Sequence, residues 1–168
     1  MFRIVSTEND YPHQHRLSFE YPLEPECRQE DIQAVRHDLN RLNPAKDSYK
    51  FLEDTTGITL YFRNSCELFH FRLLHEVEDF TEESDDFLAI GQSFILLNKK
   101  GRDKKPLVSI NNHFQKARRL AGVPKNDFQS RITMANQTVD VVSNSIKDYI
   151  RVWAHMSHKK RAKLELAS

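Results

Sequence analysis

Glycine is scarce in this chain. Four occur in 168 residues, at Gly57, Gly91, Gly101 and Gly122, and they are widely scattered. A phosphate-cradling loop or a dinucleotide-binding turn needs several glycines within a few positions, so that backbone N–H groups can approach the ligand. Neither is present, and there is no GxSxG elbow for a serine nucleophile. Cysteine is also sparse. Cys27 and Cys66 lie far apart and fit no CxxC spacing, which predicts two reduced thiols, with no disulfide and no thiolate metal site. No window approaches the roughly 18 apolar residues of a membrane span. The opening MFRIVSTEND lacks a basic flank followed by an apolar run. The expectation is a cytoplasmic protein with no membrane contact, no cofactor and no enzymatic signature.

Charge is plentiful and unevenly placed. The totals, 25 Lys and Arg against 24 Asp and Glu, conceal this. Residues 1–98 carry nine basic and nineteen acidic side chains, a net of −10, whereas residues 99–168 carry sixteen and five, a net of +11. Such asymmetry points to nucleic acid or an acidic partner, or to mutual attraction between the two parts. The sequence therefore divides into an acidic α+β domain at 1–98, a basic linker at 99–106 and a basic three-helix region at 107–168.

Residue periodicity gives the expected elements. FRIVSTE (2–8) and HRLSFEY (15–21) read as strands separated by turn-forming residues. Ile32, Val35, Leu39 and Leu42 recur at helical steps, and Asn43-Pro44 ends the helix. SYKFLED and GITLYFRN alternate around Asp54-Thr55-Thr56-Gly57, a hairpin signature. ELFHFRLLHEV alternates Phe69, Phe71 and Leu73 against His70 and Arg72, which predicts another strand. Ser84 then reads as the N-cap of a helix carrying Phe87, Ile90, Phe94 and Leu97. The fold class expected is α+β, an N-terminal antiparallel sheet with covering helices, followed by a small helical part.

Three helices are expected in that second part. Ile110, Phe114, Ala117 and Ala121 form the stripe of the first, which stops at Gly122 ahead of Pro124. Asp127 is read as the cap of a second through Ile132, Ala135 and Val139. Ser143 or Asn144 is read as the cap of a third with Ile146, Ile150, Trp153 and Met156, and the last ten residues are expected to fray. Lys116, Arg118, Arg119, Lys147, Arg151, Lys159, Lys160 and Arg161 fall off these stripes, alongside His155 and His158. They are the candidate nucleic-acid-binding residues, for DNA or RNA, because each phosphate they neutralise releases a counterion. FQKARRLAGVPKNDFQSRI further reads as a helix-turn-helix, although the step from Ala117 to Gly122 is five residues where four is usual.

LLNKKGRDKKPLVSINNHFQKARRLAG resembles the segment before the catalytic arginine region of tyrosine recombinases, and SNSIKDYIRVWAHMS resembles their C-terminal segment. The Arg…His-x-x-Arg set that holds the scissile phosphate in that family is missing, and Trp153 stands where the nucleophilic Tyr would be. Tyr149 is near it without matching partners. The resemblance implies a catalytically inactive relative that keeps a DNA-facing scaffold, and it transfers no functional residue.

Glu76, Glu78, Asp79, Glu82 and Glu83, continued by Asp85 and Asp86, form the densest acidic run. This is the feature behind a second reading, an inhibitor, immunity protein or assembly adaptor that engages a basic protein partner. The N-terminal part is also a candidate homodimer surface. Histidine pairs at His13 and His15, His70 and His75, and His155 and His158 lack converging ligands at metal spacing, so structural or solvated roles are expected.

Overall fold

The computed structural model describes residues 4–9, 15–20, 27–78, 89–97 and 101–167. The fold is α+β, with two four-stranded antiparallel sheets among the described residues. Contacts divide the chain into two compact units, Met1–Asp79 and Phe80–Ser168.

The first unit runs β1 (Ile4–Asn9), β2 (His15–Glu20), α1 (Arg28–Leu42), β3 (Tyr49–Glu53), β4 (Gly57–Phe62) and α2 (Ser65–Glu78). This is a strand–strand–helix unit used twice. Its sheet order is β1-β2-β4-β3, so the second strand of each half pairs antiparallel at the centre, with Leu17 opposite Leu60. Leu17 and Phe19 from β2 and Ile58, Leu60 and Phe62 from β4 are buried, as are Ile32, Val35, Leu39 and Leu42 of α1 and Phe71 and Leu74 of α2. Asn43 ends α1 in the left-handed conformation (φ 53°), its N–H donating to Leu39 O at 2.9 Å. Asp54 closes the β3–β4 hairpin by accepting from the N–H groups of Thr56 and Gly57 at 2.7 and 2.9 Å.

α2 corrects the expected strand at ELFHFRLLHEV. Asn64 caps it, accepting from Cys66 N–H at 2.7 Å. The buried set is Cys66, Glu67, Leu68, His70, Phe71, Leu74 and His75, which follows the 3.6-residue period once the two histidines are counted as interior. His70 donates from Nδ1 to Cys66 O at 2.5 Å, and His75 meets Asp38 of α1 at 3.4 Å with the Phe19 ring 5.2 Å away. Both histidines serve helix packing.

The second unit runs β5 (Ile90–Leu96), α3 (Lys105–Ala121), β6 (Phe128–Thr133), β7 (Thr138–Ser143), α4 (Ile146–His155), α5 (His158–Arg161) and β8 (Leu164–Leu166). Its sheet order is β6-β7-β5-β8. Phe94, Phe114, Phe128, Tyr149 and Trp153 form the core, with Phe94 stacked on Trp153 at 5.6 Å. Each such ring contributes about 2–3 kcal/mol by leaving water.

Three expectations fail in this unit. Ile90–Leu96 is a strand, not the end of a helix, and it pairs with β7 and β8 rather than covering the first sheet. Residues 128–143 form a hairpin, because Phe128, Ser130 and Ile132 alternate on one face opposite Ser143, Val141 and Val139, and the β-branched Thr138, Val139, Val141 and Val142 suit a pleated ladder. With no second helix there, the helix-turn-helix reading falls. The end of the chain does not fray, since Leu164 is buried and β8 pairs with β5. The third helix does form, capped by Ser145, which accepts from Asp148 N–H. Of the basic segment 99–106, residues 99 and 100 lie outside the described set, and from Lys105 it is already helix.

Candidate nucleic-acid interface

The second unit as divided by its contacts holds sixteen basic and nine acidic side chains. Its candidate cations separate into those that build the unit and those that face outward.

Three arginines build it. α3 ends in a Schellman turn: Gly122 adopts φ 72°, its N–H reaches Arg119 O and that of Val123 reaches Arg118 O, both at 3.1 Å. Arg118, 8% exposed, clamps the same turn with its side chain, donating from Nη1 to Val123 O at 2.8 Å and from Nε to Gln115 Oε1 at 3.0 Å. Arg151 reaches across from α4 to the Ala121 carbonyl, placing a cation where the α3 dipole is negative, and also meets Asp148 at 3.3 Å. Arg161 is 1% exposed, with its guanidinium 5.2 Å from the Trp153 ring centre. Arg118 and Arg161 are thus buried, against the expectation that they face outward, whereas Arg151 stays partly exposed. Sequence pattern places them off the apolar stripe, but a long side chain can turn inward when a carbonyl or ring waits for its charged end.

The outward cations gather on α3 and α5. Helical geometry puts Lys105, Ser109, Asn112, His113, Lys116 and Leu120 on one side of α3, opposite its buried stripe of Leu107, Ile110, Phe114, Ala117 and Ala121. Lys116 and Arg119 are exposed, as is Lys159 of α5, while Lys160 and Lys147 are half-buried. Lys160 crosses to α3, its Nζ donating to Ser109 Oγ at 3.4 Å. His113, one turn beyond Ser109, has its pKa held below the usual histidine value by partial burial and by the charges of Lys160, Lys116 and Lys163. Lys116, one turn after His113 on α3, and Lys160 of α5, held at Ser109 one turn before it, thus flank this imidazole along the helix. Lys163 was not among the candidates, although its place four residues after Lys159 marks it as part of the same run. His113 was missed because a lone histidine carries no pattern of its own. Lys147 lies on α4, which meets the far end of α3 through Arg151, away from the Ser109 contact.

A second polar cluster lies on the sheet. Asp140 on β7 accepts hydrogen bonds from Ser93 at 2.7 Å, Thr138 at 2.9 Å and Thr133, and stands opposite Ser93 and Arg131 on its neighbouring strands. Burial raises its pKa, but the three hydroxyls and Arg131 outweigh this and hold it below the usual carboxylate range. With its oxygens already engaged, this carboxylate ties three strands together.

Little of the acidic run can be placed. Glu76 is exposed on α2 and meets Arg72 at 3.3 Å, one helical turn back. The Glu78 side chain, Asp79, Glu82 and Glu83 lie outside the described residues. Among the described residues no group of three or more His, Cys, Asp or Glu side chains is arranged to hold a metal ion, and no helix is long and apolar enough to cross a membrane. No protein-family model, curated protein or solved structure matches this chain.

Proposed function

We propose that the second unit binds the phosphate backbone of DNA or RNA, without catalysis, through Lys116 of α3, Lys159 and Lys160 of α5 and Lys163 just beyond it. The observation that carries this reading is the contact of Lys160 Nζ with Ser109 Oγ at 3.4 Å, which brings a cation of α5 onto the face of α3 that also holds His113 and Lys116. Like charges brought together from two elements repel, and the arrangement gains energy when an anion sits among them. Lys116 and Lys159 are exposed, and neither has an ion-pair partner among the described residues. Arg119 extends the surface along α3, and the exposed Asn112 supplies a neutral hydrogen-bonding group beside the cations. Lysine is a flexible point charge, which suits backbone contact more than bidentate reading of base edges. Binding by this surface tolerates changes of sequence and weakens steeply as salt rises.

The test is fluorescence anisotropy with a labelled DNA duplex of mixed sequence, titrated between about 50 mM and about 200 mM salt. The wild-type affinity should fall log-linearly with salt. Replacing Lys116, Lys160 and Lys163 together with Ala should weaken binding and flatten the slope by about 0.9 per lost phosphate contact. Salt-independent binding, or a triple variant with an unchanged slope, defeats the proposal.

A further inference from the structure

We propose that His113 is the proton-linked member of this site: a phosphate group seated among Lys116, Lys160 and Lys163 draws a proton onto the imidazole, which then donates a hydrogen bond to that phosphate. The inference rests on the phosphate-binding reading and adds a pH control to it.

The geometry is a half-buried imidazole on α3, with Lys116 one turn after it and the Lys160 ammonium held at Ser109 one turn before it. Lys116 comes from α3 itself, Lys160 from α5 and Lys163 from the turn that follows α5. Lys160 is anchored beside the ring through Ser109, one helical turn before it. These three are the charges that bear on His113, and all are positive. In the free protein burial, and then the lysine charges, disfavour the protonated ring. A bound phosphate cancels the lysine field and places an acceptor beside the ring, so both obstacles to protonation weaken together. The proton comes from solvent, and only an N–H bond forms.

Linkage fixes the sign. A ligand that raises the His113 pKa binds more tightly as pH falls through the interval between the free and bound values, by up to tenfold per pH unit. His155 and His158 are exposed nearby in the sequence, and His155 engages Arg151 O through Nδ1 at 2.8 Å, so their titration must be separated from that of His113.

The experiment follows the His113 ring resonances by NMR against pH for the full chain, alone, with duplex DNA and with inorganic pyrophosphate. In parallel, DNA affinity is measured at about pH 8 and about pH 6 for wild type, His113→Gln and a His155→Gln/His158→Gln double variant. Both anions should raise the His113 pKa. Wild type and the double variant should bind DNA more tightly at the lower pH, whereas H113Q should lose most of that gain. If pyrophosphate moves His113 but DNA does not bind, the phosphate site stands and the nucleic-acid reading fails. If DNA binds with its salt dependence while His113 keeps its free pKa, or H113Q keeps the full pH response, the proton linkage is wrong and the backbone reading survives. If neither anion moves the ring, the inference is overturned.

Discussion

Replacing Arg118 with Ala separates an arginine that holds the fold from the lysines of the proposed surface. Arg118 makes two charge-assisted hydrogen bonds, to Val123 O at 2.8 Å and Gln115 Oε1 at 3.0 Å, across the turn that ends α3. A hydrogen bond to a charged group contributes about 1.5–3 kcal/mol net, and partial access of water to the freed carbonyls offsets some of it. The expected loss is about 3 kcal/mol. Trp153 is the one tryptophan in the chain and sits in the core of the second unit, stacked on Phe94, so its fluorescence reports the unfolding of that unit. With a urea m-value near the low end for small proteins, about 1–1.5 kcal/mol/M, the midpoint should fall by about 2–3 M. Arg118→Lys retains the charge but not the fork and should fall between the two. Under conditions where R118A is folded, its DNA-binding salt slope should equal the wild-type slope. A midpoint shift below about 0.3 M at unchanged m, or a slope flattened by about one phosphate contact, refutes the structural assignment.

Two further outcomes follow from local geometry. A methyl group at Gly57 would lie 1.9 Å from Phe19 O, so Gly57→Ala must part the central β2–β4 pair; it should cost about 1–3 kcal/mol or more, read by circular dichroism as earlier thermal unfolding, and an unchanged transition contradicts the close approach. Asp140 has its pKa lowered in the folded state, so its contribution to stability is present above the unfolded carboxylate value and is lost as pH falls through the folded one. Asp140→Asn should therefore be less stable than wild type near neutral pH, with the gap closing in acid, when followed by Trp153 fluorescence; a gap independent of pH excludes this.

The elements legible in the sequence are those whose signals are local. α1 carries its stripe and its Asn43-Pro44 stop within one window, the β3–β4 hairpin carries its own turn, and α3 ends at the expected glycine. What was misread depends on distant partners. Phe94 belongs to a helix by its spacing to Ile90 and Leu97, but it is the two strands that flank β5 which decide its conformation. α2 was obscured because His70 and His75 are interior, so polar letters stood at buried positions; Asn64 three residues before Glu67 was the overlooked cap signature. For the candidate site, the basic composition says which cations exist but not which of them face outward. Lys116 could be found by exposure arguments, whereas the inward turn of Arg118 and Arg161 depends on a carbonyl and a ring supplied by the fold.

β8 joins the sheet beside β5, with Leu166 opposite Phe94 and Leu164 fully buried. A ribosome delivers β5 long before β8, so throughout that interval the nascent second unit has an open strand edge and a gap in its interior. A chain cut before Leu164 therefore lacks both the strand that closes this edge and a side chain of the interior.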